Sequence, residues 1–488
     1  MRDWLSHRAV VSPDATALIA STTGASETYA ALDVAVEELA ARLTALAVTD
    51  GTIGIVLHSR SAAVRIVHAA MRVGAVVIPF DPDGTESELT EQFEHADPDC
   101  LICERATEQL VTAVDPSVPV RSVDSGGKIR ALAEEPQAPI DVHEWQFDDP
   151  LVMLFTSGTT GHPKLVVLTV GNIFMSAVAS ADRLGVLPTD RWCSPLGVHH
   201  MGGLAPIYRA VIDGTCLLLA PTDPEPLLDA LTEYEATGVS LVPIVLDRLL
   251  DAGTLPDSLR SVLLGGAPAT EALIGRCDDR NIPVCPTYGM TEAASQITTA
   301  RPSEATATPG TVGRPLFLTA VTVVDSSGTP VPAGERGEIV VSGPTVTPGY
   351  YEDPQATAAA FCEYGFRTGD IGYLDTDHRL WIEGRVDDRI VTGGETVDPN
   401  EIVGVLCDHP AITDAAVVGV ADEEWGERIG VLLERSDTVK KQAIDAHCRS
   451  RLSSHKRPRI IAFGSIPRTA SGTIDRKAVR ERLTARTT

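Results

Sequence analysis

In Leu154-Phe155-Thr156-Ser157-Gly158-Thr159-Thr160-Gly161-His162-Pro163-Lys164, four hydroxyl side chains, two glycines and a lysine share one short loop. Glycine lets the backbone turn tightly enough to point N–H groups at an anion, and hydroxyls and a lysine add donors and charge. The Gly-x-x-x-x-Gly-Lys-Ser/Thr loop of common phosphate-binding NTPases differs, because here the lysine follows Pro163 and no helix is predicted directly after it. The stretch therefore predicts a phosphate-binding loop rather than a solvated turn.

Short apolar strands and amphipathic helices alternate over about the first 300 residues. The predicted strands cover residues 51–57, 75–80, 215–219, 239–242 and 261–264, and the predicted helices cover 62–73, 172–184, 204–212 and 226–234. Such alternation is typical of largely parallel sheets whose ligand loops lie at the strand ends.

The last third of the chain has a different pattern. From about residue 303 it becomes β-rich, with glycine and proline turns around residues 337–341 and 380–382. Beyond residue 385 follow predicted helices at 399–406 and 440–452 and strands at 415–420 and 429–433. We therefore expect an α/β fold. Residues 1–386 form a large N-terminal domain of mixed and parallel α/β layers plus a β-rich subdomain, and residues 387–488 form a small α+β domain.

The charge balance is strongly acidic. Forty Lys and Arg residues stand against 67 Asp and Glu residues, a net charge of −27, which argues against nucleic acid or an anionic membrane as a partner. No apolar run reaches transmembrane length and no signal peptide begins the chain, so we expect a cytoplasmic protein. Lysine is limited to positions 128, 164, 440, 441, 456 and 477, which favours a halophilic source over an acidic surface for a basic partner.

Nine cysteines are scattered without a framework. Cys100-Leu101-Ile102-Cys103 has the spacing of a metal motif, but its interior is apolar and no second Cys or His pair follows. We expect this segment to be a buried strand and the thiols to be reduced.

Four further motifs carry groups that suit a nucleotide. Gly265-Gly266-Ala267-Pro268 leaves room for a flat base, and Tyr288-Gly289-Met290-Thr291-Glu292 joins an aromatic face to a carboxylate that could hold Mg²⁺. Arg367-Thr368-Gly369-Asp370 offers a carboxylate to ribose hydroxyls, and Gly384-Arg385-Val386-Asp387-Asp388 adds a cation. Each motif alone could be a turn.

Together, the order and spacing of these motifs resemble the adenylate-forming enzymes, the acyl-CoA synthetase and luciferase superfamily, from about Ala30 to Arg482. The resemblance implies Lys164, His200, Glu292 and Arg385 as catalytic residues, Glu292 as the Mg²⁺ ligand and Asp387 as the hinge of a mobile C-terminal domain. The implied ATP site comprises Thr156, Ser157, Gly158, Thr159, Thr160, Gly161, Lys164, Gly265, Gly266, Ala267, Tyr288, Gly289, Thr291, Asp370 and Arg385.

The implied chemistry has two steps. A carboxylate attacks the α-phosphorus of ATP and expels pyrophosphate, and the thiol of coenzyme A then opens the acyl-adenylate. ATP, Mg²⁺ and coenzyme A are therefore the expected cofactor and co-substrates, beside a small carboxylic acid. The sequence leaves a homodimer open.

The acid itself is indicated by a finer resemblance. The stretch 263–298 is similar to 2-succinylbenzoate–CoA ligases of menaquinone synthesis. Their substrate, 2-succinylbenzoate, has a second carboxylate, which needs hydrogen-bond donors or a cation if it is buried. His200 matches the acyl-pocket motif Pro-Leu-Phe-His, whereas Gly197, Val198 and His199 depart from it. The implied substrate-binding residues are His200, Arg209 and Gln296.

One departure affects the first step. The family carries a lysine at the end of the motif Pro-Arg-x-x-Ser-Gly-Lys, and Thr473 stands there in Pro467-Arg468-Thr469-Ala470-Ser471-Gly472-Thr473. A hydroxyl supplies no positive charge to the transition state. Three alternatives stay open. The pocket departures allow a ligase for another aryl or medium-chain acid, Thr473 allows an adenylation-impaired nucleotide-binding homologue, and an adenylation domain that loads a carrier protein is the third.

Overall fold

The structure, a computed structural model, describes residues 1–114, 116–156, 163–386, 388, 390–392, 395–422, 425–436, 439–468 and 474–485. The chain divides into two compact units. The first unit comprises Met1–Thr322, Val340–Phe366 and His378–Leu380, and the second comprises Val323–Ile339, Arg367–Asp377 and Trp381–Thr488. A single domain boundary at residue 386 stays a prediction, because this division interleaves the two units between residues 323 and 381.

Both element types occur throughout the described residues. The α-helices there are α1 Trp4–Val11, α2 Tyr29–Ala45, α3 Arg60–Val73, α4 Glu86–Ala96, α5 Glu108–Val114, α6 Val170–Leu184, α7 Met201–Asp213, α8 Pro224–Glu233, α9 Pro243–Ala252, α10 Glu271–Asp278, α11 Pro302–Ala307, α12 Pro354–Ala360, α13 Pro399–Cys407, α14 Lys441–Arg449 and α15 Arg476–Thr484. The first strands are β1 Thr16–Ala20, β2 Ala25–Thr28, β3 Thr52–Val56, β4 Val76–Pro79, β5 Cys100–Cys103, β6 Val120–Ser122, β7 Pro150–Thr156, β8 Lys164–Thr169, β9 Arg191–Ser194, β10 Cys216–Leu219, β11 Gly238–Leu241, β12 Ser261–Leu264 and β13 Val284–Met290. The later strands are β14 Ser295–Thr299, β15 Arg314–Pro315, β16 Ala320–Val324, β17 Gly337–Ser342, β18 Gly349–Tyr350, β19 Phe361–Cys362, β20 Gly365–Leu374, β21 Leu380–Arg385, β22 Ile390–Thr392, β23 Glu395–Val397, β24 Ile412–Asp422, β25 Gly426–Arg435 and β26 Ile460–Phe463.

Two large sheets organise the first unit. One has nine strands in the order β15-β14-β13-β12-β11-β9-β10-β1-β2, and the other has seven in the order β18-β8-β7-β4-β3-β5-β6. Their central strands pair in parallel, as between β3 and β4, β11 and β12, and β12 and β13. The predicted α/β fold is confirmed, and so is the buried strand at Cys100–Cys103.

Helices cover both faces of these sheets. The largest buried cluster joins Ile53, Ile55 and Leu217 of the two sheets to side chains of α2, α3, α6 and α7. A second cluster lies between α4 and the outer face of β3, β4 and β5, and a third packs α8, α9 and α10 against β10, β11 and β12. The strand ends are therefore held by cores on either side, which fixes the loops that follow them.

Helix caps explain both ends of α3 and the C-terminal end of α7. The Ser59 side chain accepts from the backbone N–H of Ala62 at the start of α3, and Gly74 ends that helix with a φ of 81°. Gly214 ends α7 in the same left-handed region, with a φ of 75°. These signals lie in the sequence, and both helices match their predicted positions within three residues.

The second unit contains an antiparallel sheet with helices on both faces. Its strands run in the order β23-β22-β25-β24, and β26 pairs in parallel with β25. One face packs against α13 and α14, and the other packs against Val479 and Leu483 of α15. Strands β16, β17, β20 and β19 form a further sheet, with β21 beside β20. Every helix in the described ranges is too short or too polar to cross a membrane.

Candidate active site

The predicted phosphate loop connects two antiparallel strands. Strand β7 ends at Thr156, β8 begins at Lys164, and these two residues are directly paired in the ladder. No helix opens after Lys164, as the sequence predicted. Residues Ser157–Gly161, which are predicted to bind ATP, lie outside the described residues. The ladder therefore fixes both ends of the loop and aligns Lys164 with its mouth.

Lys164 contacts an aromatic side chain that the sequence did not single out. Its Nζ lies 4.7 Å from the centroid of the Tyr350 ring, within the range of a cation–π interaction. The Tyr350 hydroxyl donates to Oε1 of Glu292 at 3.2 Å. Tyr350 thus bridges the lysine and the carboxylate that the sequence assigned to phosphate and metal.

Tyr350 is held by backbone pairing. Strand β18 pairs with β8, so that Tyr350 lies opposite Val166, two residues from Lys164. Just before it, the backbone N–H of Thr347 donates to the carbonyl of Glu292 at 2.7 Å. The lysine strand, the tyrosine strand and the glutamate turn are therefore tied together through main-chain contacts.

Glu292 lies in a turn whose backbone is strained and is held by a hydrogen bond from α6. Its side chain is buried in a short 3₁₀ turn at Thr291–Ala293, between β13 and β14. Ala294 and Ser295 follow with φ values of 51° and 112°, in the region that non-glycine residues avoid. The Ser176 hydroxyl of α6 donates to the carbonyl of Ala294 at 2.6 Å and holds this conformation.

The donor set at Glu292 fits Mg²⁺. A carboxylate has about four lone-pair positions, so a tyrosine hydroxyl and a cation can share it. Mg²⁺ commonly takes one or two carboxylates and completes its shell with water and substrate phosphates. The described residues contain no group of three or more His, Cys, Asp or Glu that could hold a metal unaided.

Two glycine-containing segments form the predicted adenine side. Gly265–Ala267 follow β12, and Tyr288 and Gly289 lie in β13, the parallel neighbour of β12. A Cβ on Gly265 would lie 2.7 Å from Cγ2 of Thr287, and a Cβ on Gly289 would overlap the carbonyl of Ser295. The two predicted segments are thus brought to the same end of adjacent strands, with no room for side chains at these glycines.

A cavity of about 390 Å³ opens beside Lys164 and Tyr350. Its other lining residues include Glu91, Glu94 and Asp353. Acidic side chains repel phosphate groups. The acidic lining therefore makes this cavity a poor place for phosphate groups.

The predicted ribose and phosphate ligands Asp370 and Arg385 belong to the second unit. Asp370 is half-buried and Arg385 is exposed, and Arg385 Nε lies 3.8 Å from Asp370 Oδ1. The backbone N–H of Asp370 donates to Thr368 Oγ1 at 3.1 Å, and the N–H of Val386 donates to the carbonyl of Gly369 at 2.8 Å. The two motifs are adjacent in space. The predicted hinge Asp387 lies outside the described residues.

The predicted acyl-site residues do not form one cluster. His200 immediately precedes α7, and burial and the neighbouring His199 lower its pKa to about 4. Arg209 lies nine residues further along α7, about 13 Å along a helix axis at about 1.5 Å per residue. Gln296 is buried, and its Nε2 donates to Thr299 Oγ1 at 2.8 Å while its Oε1 has no hydrogen-bond partner.

Arg209 is a buried cation with unpaired donors. Its Nε and Nη2 are buried and have no hydrogen-bond partner among the described residues, and they lie beside a cavity of about 40 Å³ also lined by Trp192 and Asp213. Burial lowers the pKa of Arg209 to about 10 and raises the pKa of Asp213 to about 6. Neither His200 nor Gln296 is among the described residues that line this cavity. An arginine with unpaired donors suits an anionic group, but its distance from His200 leaves its substrate contact a prediction.

Comparison with known proteins identifies the family. Residues 5–351 match the family of AMP-binding enzymes, and residues 401–473 match the C-terminal domain of AMP-binding enzymes. The chain belongs to the AMP-binding enzymes. Among these enzymes, it is 35% identical to the 2-succinylbenzoate–CoA ligase of Bacillus cereus strain Q1, over 99% of this chain and 98% of the relative. It is 34% identical to the 2-succinylbenzoate–CoA ligase of Listeria monocytogenes, over 99% of each chain.

Solved structures of AMP-binding enzymes have the same fold. The o-succinylbenzoate CoA synthetase of Bacillus subtilis, solved with its acyl-adenylate intermediate, superimposes with a TM-score of 0.91 at 32% identity and covers 98% of both chains. The same enzyme solved with ATP and magnesium gives a TM-score of 0.90 over 99% of both chains. The family resemblance drawn from the sequence motifs is therefore confirmed.

Proposed function

We propose that this protein is an ATP-dependent acid–CoA ligase that forms AMP. In the first step a carboxylate and ATP give an acyl-adenylate and pyrophosphate, and in the second coenzyme A takes the acyl group and AMP leaves. The observation that carries the proposal is the contact of Lys164 and Glu292 with the two ends of Tyr350, at the mouth of the phosphate loop. This arrangement gives one cationic and one anionic group at fixed positions for a metal–nucleotide complex.

The proposed acid is 2-succinylbenzoate, and the product would serve menaquinone synthesis. Support comes from the full-length similarity to ligases of that name. Arg209 is proposed to meet the second carboxylate, because a buried guanidinium with unpaired donors is relieved by an anion. His200 and Gln296 are proposed to border the aromatic part.

The protein groups act mainly by position and charge. Lys164 neutralises phosphate charge at the loop. Tyr350 holds the side chains of Lys164 and Glu292 in position through its contacts with both. Mg²⁺, when bound, supplies further charge neutralisation on the phosphates. For the second unit, Asp370 as the ribose ligand, Arg385 as a nucleotide contact and Asp387 as the hinge stay proposals.

One sequence feature favours a second candidate, an adenylation-impaired nucleotide-binding homologue. Thr473, outside the described residues, stands where the family has a lysine. The buried Glu292 and its paired neighbours argue against decay, since a buried carboxylate is costly to keep without a role. A ligase for another aryl or medium-chain acid differs from the main proposal only in the pocket.

One experiment separates the three candidates. Pyrophosphate and acyl-CoA are followed over a panel of carboxylic acids, with and without coenzyme A and at high and low salt. Preferred turnover of 2-succinylbenzoate supports the main proposal, and preference for another acid replaces only the substrate. Nucleotide binding without pyrophosphate from any acid supports the impaired homologue.

A separate proposal is that the enzyme works in a cytoplasm with a high salt concentration. The net charge of −27 and the scarcity of lysine favour a cytoplasm with high salt, where ions screen repulsion between carboxylates. We expect the unfolding midpoint and the turnover to rise between about 0.1 and 2 M KCl, the range over which the Debye length falls several-fold. Equal stability and activity at both salt levels would refute the halophilic proposal. Sedimentation at both KCl concentrations tests whether the protein forms a homodimer.

A further inference from the structure

The segment before α7 departs from its family pattern in a coordinated way. Gly197 and His199 are both unusual there, and the structure shows that they depend on each other. A Cβ on Gly197 would lie 2.6 Å from Cε1 of His199, so the imidazole occupies the space that a larger residue at 197 would fill. The glycine therefore makes room for the histidine.

His199 is placed between a carboxylate and the proposed substrate residue. Its side chain is only 14% exposed, and its Nε2 lies 3.7 Å from Oδ1 of Asp81, in the loop after β4. On its other side the ring centroid lies 4.2 Å from that of His200, with an angle of 54° between the planes. His199 thus contacts both Asp81 and His200.

Further charged groups face this pair. His58, in the loop after β3, binds Glu104 through Nδ1 at 2.8 Å and Asp83 through Nε2 at 3.1 Å. Arg60 Nη1 donates to the carbonyl of Ser194 at 2.9 Å and ties α3 to the start of the same segment. Despite partial burial, the hydrogen bonds to Asp83 and Glu104 raise the pKa of His58. His58 therefore gains its proton first as the pH falls.

We propose that Asp81 and His199 form a proton-dependent positioning pair for His200 at the acyl site. The proposal rests on the proposed function of this site. The neutral His199 ring packs on His200 and holds it at the start of α7. Once protonated, His199 is drawn towards Asp81, whose carboxylate is too far away in the neutral state for a good hydrogen bond. That movement removes the packing surface from His200.

The direction of the pH effect follows from the charges. Burial lowers the pKa of His199, while Asp81 and Asp83 act in the opposite direction and a charged His58 adds to the lowering. The ring is therefore neutral near pH 7 and gains a proton only in acid. We expect the KM for the acid substrate to rise on the acidic side, while the KM for ATP stays constant because the ATP motifs lie elsewhere.

The test uses two variants and a pH series from about pH 5 to about pH 8.5, which brackets the ordinary pKa of histidine. In Asp81→Asn, the pH at which kcat/KM for 2-succinylbenzoate falls should decrease by about 0.5 to 1 unit. The reason is that attraction by a carboxylate about 4 Å away raises the pKa of an imidazole by about this amount. In His199→Phe, which restores the aromatic residue of the family motif, this pH dependence should disappear because the ring can no longer gain a proton. Asp50→Asn and His143→Phe are the matched controls, because His143 Nδ1 pairs with Asp50 at 2.8 Å and its ring packs on Trp145.

A second readout needs no turnover. Side-chain NMR titration should show the pKa of His199 falling in Asp81→Asn and the pKa of His200 rising in His199→Phe, with neither changed in the controls. Unchanged pKa values, or unchanged acid dependence in an active enzyme, would overturn the positioning pair. If His199 and His200 of the wild-type protein titrate as expected but the enzyme does not convert 2-succinylbenzoate, the proposed substrate is refuted and the proposed positioning pair is not.

Discussion

At the scale of single residues, Tyr350 combines two kinds of contact. Its ring faces the ammonium of Lys164, and its hydroxyl donates to the carboxylate of Glu292. The two charged groups have opposite signs, and the same aromatic residue contacts both of them. Tyr350 therefore links a cation and a carboxylate through different parts of one side chain.

Tyr350→Phe should raise the KM for magnesium–ATP about three- to tenfold, the effect of losing one hydrogen bond to a buried carboxylate. Tyr350→Leu should raise it further, because it also removes the ring beside Lys164. Initial rates at varied magnesium and ATP measure both effects. Tyr351→Phe is the control, since Tyr351 packs against the cluster around Phe93. Equal KM values in Tyr350→Phe and wild type would show that the bridge has no part in nucleotide binding.

Thr473→Lys should speed adenylation by about tenfold or more, because a cation near the developing charge is worth on the order of 10² in rate. Pyrophosphate release without coenzyme A measures this step. The thioester step, started from acyl-adenylate, should not change. Thr484→Lys adds the same charge in α15 and serves as the control. An unchanged pyrophosphate rate would mean that the missing cation does not limit the enzyme.

The sequence predicted site roles for Lys164 and Glu292 but none for Tyr350. The first two belong to motifs in which neighbouring residues share one chemical purpose, so local pattern is enough. Tyr350 follows Gly349 in a strand of two residues, and its partners lie far away along the chain. Only the pairing of β18 with β8 reveals it. The same holds for Asp81 and His199, which come from separate loops.

At the scale of elements, the start of α6 holds the segment that carries Tyr350. Asn172 and Thr169 form a reciprocal cap, in which Asn172 Oδ1 accepts from the N–H of Thr169 at 2.9 Å. Asn172 Nδ2 also donates to the carbonyls of Pro344 and Val346, at 2.8 and 2.9 Å. One buried amide therefore caps a helix and anchors the chain just before β18.

Asn172→Ala should lower the free energy of unfolding by about 2–4 kcal/mol, since it removes a cap and leaves two carbonyls unpaired. It should also raise the KM for magnesium–ATP, because the segment before Tyr350 loses its anchor. Thr270→Ala removes the cap of α10 without touching that segment, so only stability should fall. Urea unfolding and steady-state kinetics on both variants test this. A matching loss of stability with no change in KM would refute the link to Tyr350.

Helices and strands with a full hydrophobic period were predictable. Strand β12 matches its predicted bounds, and α6 and α8 begin two residues earlier than predicted. Short elements without a period, such as β15 and β18, exist because longer neighbours offer them an edge. Their formation depends on tertiary pairing, which a local pattern does not contain.

At the scale of the whole molecule, helix α3 of the largest core carries a buried imidazole. His68 of α3 is 1% exposed, and neither of its buried ring nitrogens has a hydrogen-bond partner in the part of the chain that the structure describes. Its ring meets Tyr208 of α7 edge-on, with centroids 6.3 Å apart. Burial lowers the pKa of His68 to about 4, so the folded protein keeps this side chain neutral where an unfolded chain would charge it.

His68→Leu should therefore flatten the pH dependence of stability. A base whose pKa is lowered on folding costs no stability above pH 6.5 and destabilises the fold progressively as the pH falls from about 6.5 to 4, by up to about 3 kcal/mol. Urea midpoints at pH 7 and pH 4.5 should differ less in the variant than in wild type. Exposed His7→Leu should leave the difference unchanged. An equal acid sensitivity in all three proteins would contradict a buried neutral His68.

The two-unit organisation could be predicted only in outline. The sequence pattern becomes β-rich from about residue 303, whereas in the structure residues 323–339 and 367–377 group with the C-terminal segment and residues 340–366 do not. Which strand joins which unit depends on long-range packing energy. A sequence pattern states what an element is and not where it packs.

The position of Lys164 also means that chemical acylation of its amine would report nucleotide binding. With six lysines in 488 residues, an acylating reagent has few side chains to modify, and one of them stands at the mouth of the phosphate loop beside the ring of Tyr350. Nucleotide phosphates would engage the Lys164 amine and slow its acylation, whereas the other five lysines would act as internal standards. Mass spectrometry of the labelled protein would then count occupied nucleotide sites directly, without an assay of turnover.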